Sequence, residues 1–144
     1  MAELVKERSR PISLAAGELL ALRQWRWDAE KLQESAELDY DSQHKENGSP
    51  PSYYSISVFA MARGDDEQVP ELIERLTTHV LAKRSSAHMM LITESELSAG
   101  GFTLIKHEPP EHHYDIPVGT DRRGLRVEDL ANAFGLDEKI RMPR

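Results

Sequence analysis

The chain contains no cysteine, and this absence removes several classes of function at once. Thiolate catalysis, disulfide scaffolds, iron–sulfur clusters and cysteine-ligated zinc are excluded, while a reducing compartment is compatible with the composition. No apolar run approaches the roughly 18 to 20 residues that span a bilayer, and the first residues lack the apolar core of a secretion signal. We therefore expect a cytoplasmic protein with no membrane partner.

Positive charge is also scarce. Lys and Arg total 18 against 25 for Asp and Glu, which gives a formal net charge of −7. Proteins bind nucleic acids through basic patches that release counterions, so this acidic balance disfavours a nucleic-acid partner. The length of 144 residues is typical of one domain that buries a core without metals or disulfides. We expect a flexible N-terminal arm over 1–12 and a single domain over 13–144.

The first part of that domain is open to two interpretations. Apolar residues recur every three or four positions over 13–38, which predicts a helix. Trp25 and Trp27 also alternate with polar residues as they would on a strand, and the helix would then begin after Asp28. Residues 39–52 are rich in charges and turn formers, so the sequence predicts an exposed loop there.

The rest of the chain has clearer periodicity. Alternation over 54–62 predicts a strand, helical spacing over 70–80 predicts a helix, and the apolar run 89–92 predicts another strand. Thr93 and Glu96 match a capping box, which predicts a short helix that ends at the glycines after it. The two strands flank a helix and would be parallel if they were neighbours.

Two further strands and a helix complete the prediction. Residues 102–107 and 112–118 have strand patterns joined by the four residues 108–111, which predicts an antiparallel hairpin. A last amphipathic helix is predicted over 127–134. The whole pattern predicts an α+β domain, with a small mixed sheet of about four strands and helices mainly on one face.

Three histidines lie at the tip of the predicted hairpin, in the segment KHEPPEHHYD. Histidine changes charge near neutral pH and is a common metal ligand. A four-residue connection makes His107 and His112 directly opposed, so both are expected on one face, with His113 on the other. The same four-residue connection places Ile105 opposite Tyr114, and both are expected in a set of side chains that faces the core.

Two uses of these histidines remain open. In one, His107, His112 or His113 acts as acid and base while Glu108, Glu111 or Asp115 orients an imidazole. His107 and His112 are then also the candidates for a metal pair, although established motifs such as HExxH are absent. In the other use, which the sequence favours, the rings are semi-polar spacers at the solvent edge of the core. We therefore expect no cofactor.

A second candidate site combines both tryptophans of the chain with arginines, at Arg23, Trp25, Arg26 and Trp27. This mixture is typical of hot spots between proteins, and the structural alternative is that the tryptophans pack in the core. The first interpretation predicts a protein partner, with the loop at 39–52 ordering on binding.

The favoured function is a small protein-interaction module without catalysis. It would act as an inhibitor, an immunity-type or toxin–antitoxin component, or an accessory regulator. The alternative is a small toxin-like hydrolase or nuclease that uses the hairpin histidines. The oligomeric state does not follow from the sequence.

Overall fold

A computed structural model describes residues 5–6, 12–23, 28–81, 88–134 and 139–141. These residues form seven strands and four α-helices. The strands are β1 (Val5–Lys6), β2 (Leu19–Arg23), β3 (Tyr54–Ala62), β4 (His88–Thr93), β5 (Ile105–Lys106), β6 (His113–Gly119) and β7 (Lys139–Arg141). The helices are α1 (Ala29–Asn47), α2 (Val69–Leu81), α3 (Glu94–Ala99) and α4 (Val127–Phe134).

The strands form one sheet in the order β1-β7-β4-β2-β3-β6-β5, and every neighbouring pair is antiparallel. The α+β class is confirmed, but the expected mixed sheet of about four strands is wrong in both details. β3 and β4 do run in the same direction, yet β2 lies between them and is antiparallel to both. The three additional strands are β1, β2 and β7, of which β1 and β7 contain only two or three residues, too few to show alternation in the sequence.

Helices cover both faces of the sheet, three on one side and one on the other, so the expected bias to one face is confirmed. The larger core lies under α1, α3 and α4, where Leu32, Leu97 and Leu130 contact the sheet cluster. On the opposite face α2 buries Leu72 and Leu76 against a second cluster. β2 serves both clusters, because its alternate side chains point to opposite faces.

The segment with two interpretations is a strand followed by a helix. β2 ends at Arg23, and α1 begins at Ala29 after Asp28, whose carboxylate accepts a hydrogen bond from the Lys31 N–H at 2.9 Å. A continuous helix over 13–38 is therefore wrong, and the alternative in which the helix begins after Asp28 is confirmed. Burial of β2 on both faces outweighs the helical spacing of its leucines.

Residues 39–47 continue α1, so the expected exposed loop over 39–52 is wrong for most of its length. The ring of Tyr40 stacks on the ring of Tyr54 in β3, with centroids 3.9 Å apart and planes 8° from parallel. At the C-terminus Gly48 takes a φ of 77° and donates its N–H to the His44 carbonyl. This stacking, the Ser57–Asp39 hydrogen bond, the Arg122–Asp41 ion pair and the cap hold a polar segment in a helix that local sequence does not indicate.

The other predicted elements are confirmed within one or two residues, except that β5 covers only Ile105–Lys106 of the strand expected over 102–107. Both halves of the capping box form, with the Thr93 hydroxyl accepting from the Glu96 N–H and the Glu96 carboxylate accepting from the Thr93 N–H. Of the expected arm over 1–12, Val5–Lys6 is a strand paired with β7, and most of the remainder lies outside the described residues. Within the described ranges, no helix combines the length and apolar character needed to cross a membrane.

Candidate functional site

The histidine-rich hairpin joins β5 to β6 by a five-residue connection over 108–112. The register pairs Ile105 with Asp115 and Lys106 with Tyr114. The His107 N–H then donates to the His113 carbonyl at 2.9 Å, so these two histidines are opposed.

The expected pairing of His107 with His112 is therefore wrong by one residue. His112 has a φ of 67°, in the left-handed region, and so belongs to the connection and not to the strand. A slip of one residue exchanges the faces on which side chains lie. His107, His113 and Asp115 now share one face, and Ile105 is 40% exposed where a core position was expected.

The closest contact between two side chains of the cluster joins His107 to Asp115. The Nδ1 of His107 lies 2.8 Å from the Oδ2 of Asp115. Asp115 is only 3% exposed, whereas the His107 side chain is 45% exposed. No donor among the described residues reaches the other carboxylate oxygen, Oδ1, which is also buried. A buried carboxylate that holds a solvent-facing imidazole is an arrangement typical of acid–base sites.

His113 lies beside this pair. Its Nδ1 is 2.7 Å from the His107 carbonyl oxygen, and the two rings are 5.5 Å apart between centroids. One ligand-type atom from each of His107, His113 and Asp115 lies within 4.8 Å of the others. The structure thus brings together three of the five candidate catalytic residues, and a possible metal set that differs from the expected pair of His107 and His112.

The two remaining candidates, His112 and Glu111, lie next to each other but apart from this set. The His112 Nε2 is 3.7 Å from the Glu111 carboxylate. The ring of His112 meets the ring of His79 edge to face, with centroids 5.0 Å apart. The Nε2 of His79 is 3.1 Å from the Glu111 carbonyl oxygen, so α2 contributes a fourth histidine to the hairpin.

Sequence reasoning missed His79, although a signal was present. His79 follows Leu76 by three residues and Leu72 by seven, so it lies on the apolar face of α2. A half-buried histidine on such a face marks the border of the core. Phe59 connects the His79–His112 pair to the His107–His113 pair, because its ring is 5.5 Å from that of His79 and 5.9 Å from that of His113.

A second carboxylate lies close behind the cluster. The Asp39 Oδ2 accepts a hydrogen bond from the Ser57 hydroxyl at 3.2 Å, and Ser57 is the β3 partner of Asp115. Burial raises the pKa of Asp39, and the charge of Asp115 adds to this effect. Burial, and then Asp115, likewise raise the pKa of the Tyr53 phenol, whose oxygen is 3.5 Å from the Asp115 Oδ2.

Arg23 is the one member of the expected partner surface that the structure describes. Trp25, Arg26 and Trp27 lie outside the described residues. Arg23 is only 8% exposed, and its guanidinium donates to the Ser57 carbonyl at 2.7 Å and to the Ser35 hydroxyl at 3.1 Å. Burial lowers its pKa to about 10, against the opposing effect of Asp39.

The chain matches no protein-family model, no curated protein and no solved structure. Its function must therefore be argued from the geometry of its own residues.

Proposed function

We propose that the protein is a small hydrolase whose reacting centre is formed by His107, His113 and Asp115. The observation that carries this proposal is the 2.8 Å contact between the His107 Nδ1 and the buried carboxylate of Asp115. An ionised carboxylate only accepts hydrogen bonds, so in the neutral His107 ring Nδ1 carries the proton and Nε2 keeps its lone pair. The exposed part of the ring is accessible to water and to a substrate.

The proposed chemistry is activation of water for attack on an ester or amide. The cluster removes one proton from water, the oxygen bonds to the carbonyl carbon, and the leaving group departs with a proton returned by the cluster. Asp115 holds the His107 ring in one tautomer and one orientation throughout. The products are an acid and an alcohol or amine.

The surrounding charges favour a neutral or cationic substrate. Glu108 and Glu111 lie in the connection beside the cluster, and the Lys106 ammonium is 3.7 Å from the Glu108 carboxylate. A polyanion would also meet the net charge of −7. The proposal therefore retains the hydrolase alternative drawn from the sequence, without nuclease activity.

The test uses the full chain with p-nitrophenyl acetate and an aminoacyl p-nitroanilide as probes. His107→Ala should lower kcat/KM by at least about 100-fold, because the base is lost. His44→Ala, which changes an exposed histidine of α1, is the matched control and should keep the wild-type value. Wild-type hydrolysis no faster than buffer, or a His107→Ala rate equal to wild type at an unchanged Tm, contradicts the proposal.

A protein-interaction role, as an inhibitor or accessory regulator, is the second candidate. Leu38 of α1 is 71% exposed, which is unusual for a large apolar side chain in the described part of the protein. It borders an open depression of about 370 Å³ that Arg23, Asp39 and Ser57 also line. We propose that a protein partner places an apolar side chain beside Leu38. The partner does not order a loop at 39–52, because most of this segment is already helical.

Comparative affinity capture tests this second candidate. A partner should be retained by the wild type and by Ile105→Ser, which changes another exposed apolar side chain, and should be lost with Leu38→Ser. Trp27→Ala should weaken capture if the expected tryptophan surface takes part. The same proteins recovered with Leu38→Ser as with the wild type would show that Leu38 does not bind a partner.

A further inference from the structure

His113 makes a contact that a simple acid–base pair does not require. Its Nδ1 lies 2.7 Å from the His107 carbonyl oxygen, and a carbonyl only accepts hydrogen bonds. In the neutral ring, the His113 Nδ1 therefore carries the proton and Nε2 keeps a lone pair. The His107 Nδ1 lies 2.8 Å from the Asp115 carboxylate, so an ion that replaces the proton between these two atoms would have both residues as ligands.

His113 is thus held in the tautomer whose Nε2 can bind a metal. Metal-ligating histidines characteristically donate their other ring N–H to a carboxylate or a backbone carbonyl. His113 makes such a bond to a carbonyl, and its ring is 5.5 Å from that of His107. A general base alone does not require this second ring.

Asp115 provides the independent observation that points to a ligand. The residue is 97% buried, its Oδ1 has no donor among the described residues, and ligand-type atoms of the three side chains lie within 4.8 Å of one another. Nitrogen and oxygen ligands of a tetrahedral ion, each about 2.1 Å from it, lie about 3.4 Å apart. Rotation of the two partly exposed imidazoles can supply this contraction.

We infer that His107, His113 and Asp115 bind one divalent transition-metal ion of the Zn²⁺ class. Two imidazoles and a carboxylate suit such an ion better than Ca²⁺ or Mg²⁺, which prefer oxygen ligands alone. Three protein ligands leave a fourth position for water, whose proton a bound ion makes easier to remove. The inference deepens the proposed function and rests on it for the catalytic step, whereas metal binding can be measured by itself.

Calorimetric titration of the untagged, chelator-treated full chain with Zn²⁺ tests the inference. We expect one equivalent to bind with a Kd of about 1 µM or lower. His107→Gln and His113→Gln should each weaken binding at least about tenfold. His112→Gln is the matched control from the same hairpin and should bind as the wild type does. Absorption of bound Co²⁺ provides a second measurement, and its visible bands should be lost with His113→Gln.

Three results would overturn the inference. These are absence of Zn²⁺ binding to the wild type, binding unchanged in the His107→Gln and His113→Gln variants, or binding lost only in His112→Gln. The proposed function fails separately. Stoichiometric Zn²⁺ binding without any hydrolysis supports the metal site and contradicts the hydrolase, whereas full hydrolysis after removal of metal by a chelator supports the hydrolase and contradicts a catalytic role for the ion.

Discussion

Asp39 is a carboxylate near the histidine cluster whose surroundings disfavour its ionised form. It is half-buried, and burial followed by the charge of Asp115 raises its pKa above the ordinary 3.8. The Ser57 hydroxyl, His113 and His107 oppose this rise, and Arg23 lies close enough for Asp39 to raise its pKa in turn. The net shift is upward, so the ionised form of Asp39 costs stability.

This shift predicts a pH dependence of stability. Below pH 3.8 Asp39 is protonated in both the folded and the unfolded chain. As the pH rises the unfolded chain ionises first, so the contribution of Asp39 to stability is lost as the pH rises through the folded-state pKa. Asp39→Asn removes this loss and keeps an acceptor for Ser57. In urea unfolding, the free energy of unfolding of the variant should therefore increase relative to that of the wild type between acidic and neutral pH.

The control for this measurement is Asp65→Asn, which removes one exposed carboxylate from the connection between β3 and α2 and makes the same change in net charge. Its difference from the wild type should vary less with pH. The raised pKa of Asp39 is contradicted if the difference in unfolding free energy between Asp39→Asn and the wild type stays constant with pH. It is also contradicted if this difference shifts in favour of the wild type towards neutral pH.

At the scale of elements, α1 depends on its two ends. Asp28 caps the first turn, and Gly48 ends the helix in a left-handed conformation with a φ of 77°. The intervening sequence is polar, with Leu32 and Ala36 its buried residues. Most stability of a helix in a protein comes from packing of its apolar face, so a helix with a narrow face relies more on its caps.

Gly48→Ala tests the C-terminal cap. A Cβ at Gly48 would meet no atom within 4 Å, so the cost is conformational and should be about 1 kcal/mol of unfolding free energy. Gly48→Asn should cost less, because asparagine tolerates the left-handed region. Gly124→Ala, where a Cβ also meets nothing and φ is not positive, is the control and should be close to neutral. Equal effects at the two glycines in urea unfolding would contradict this account.

The hairpin is correctly predicted as an element, but the histidines that lie together on it differ from the expected pair. The sequence predicts the two strands and their antiparallel pairing, because the alternation and the double proline are local signals. No local sequence signal indicates the left-handed conformation of His112. Because of this conformation, His112 belongs to the connection, which is one residue longer than predicted. That single residue decides whether His112 or His113 lies beside His107 and Asp115.

At the scale of the whole molecule, β2 organises the fold. It lies between β3 and β4 and buries side chains in both cores, so the two clusters share one central strand. Its sequence, LLALR, is a short apolar run that periodicity cannot separate from a buried helix. Placement of β2 between the two strands makes the sheet antiparallel, and no pattern within β3 or β4 records this order.

Local sequence determined the α+β class, the helices after Asp28 and over 70–80, the capped turn at Thr93 and the existence of a histidine hairpin, because each depends on spacing within a few residues. Tertiary structure decided the strand order, the helical state of 39–47 and the meeting of His107, His113 and Asp115. These features depend on contacts between segments far apart in the chain, such as Tyr40 on Tyr54, and on a register set by one backbone angle. Periodicity within a segment carries no information about which distant segment packs against it.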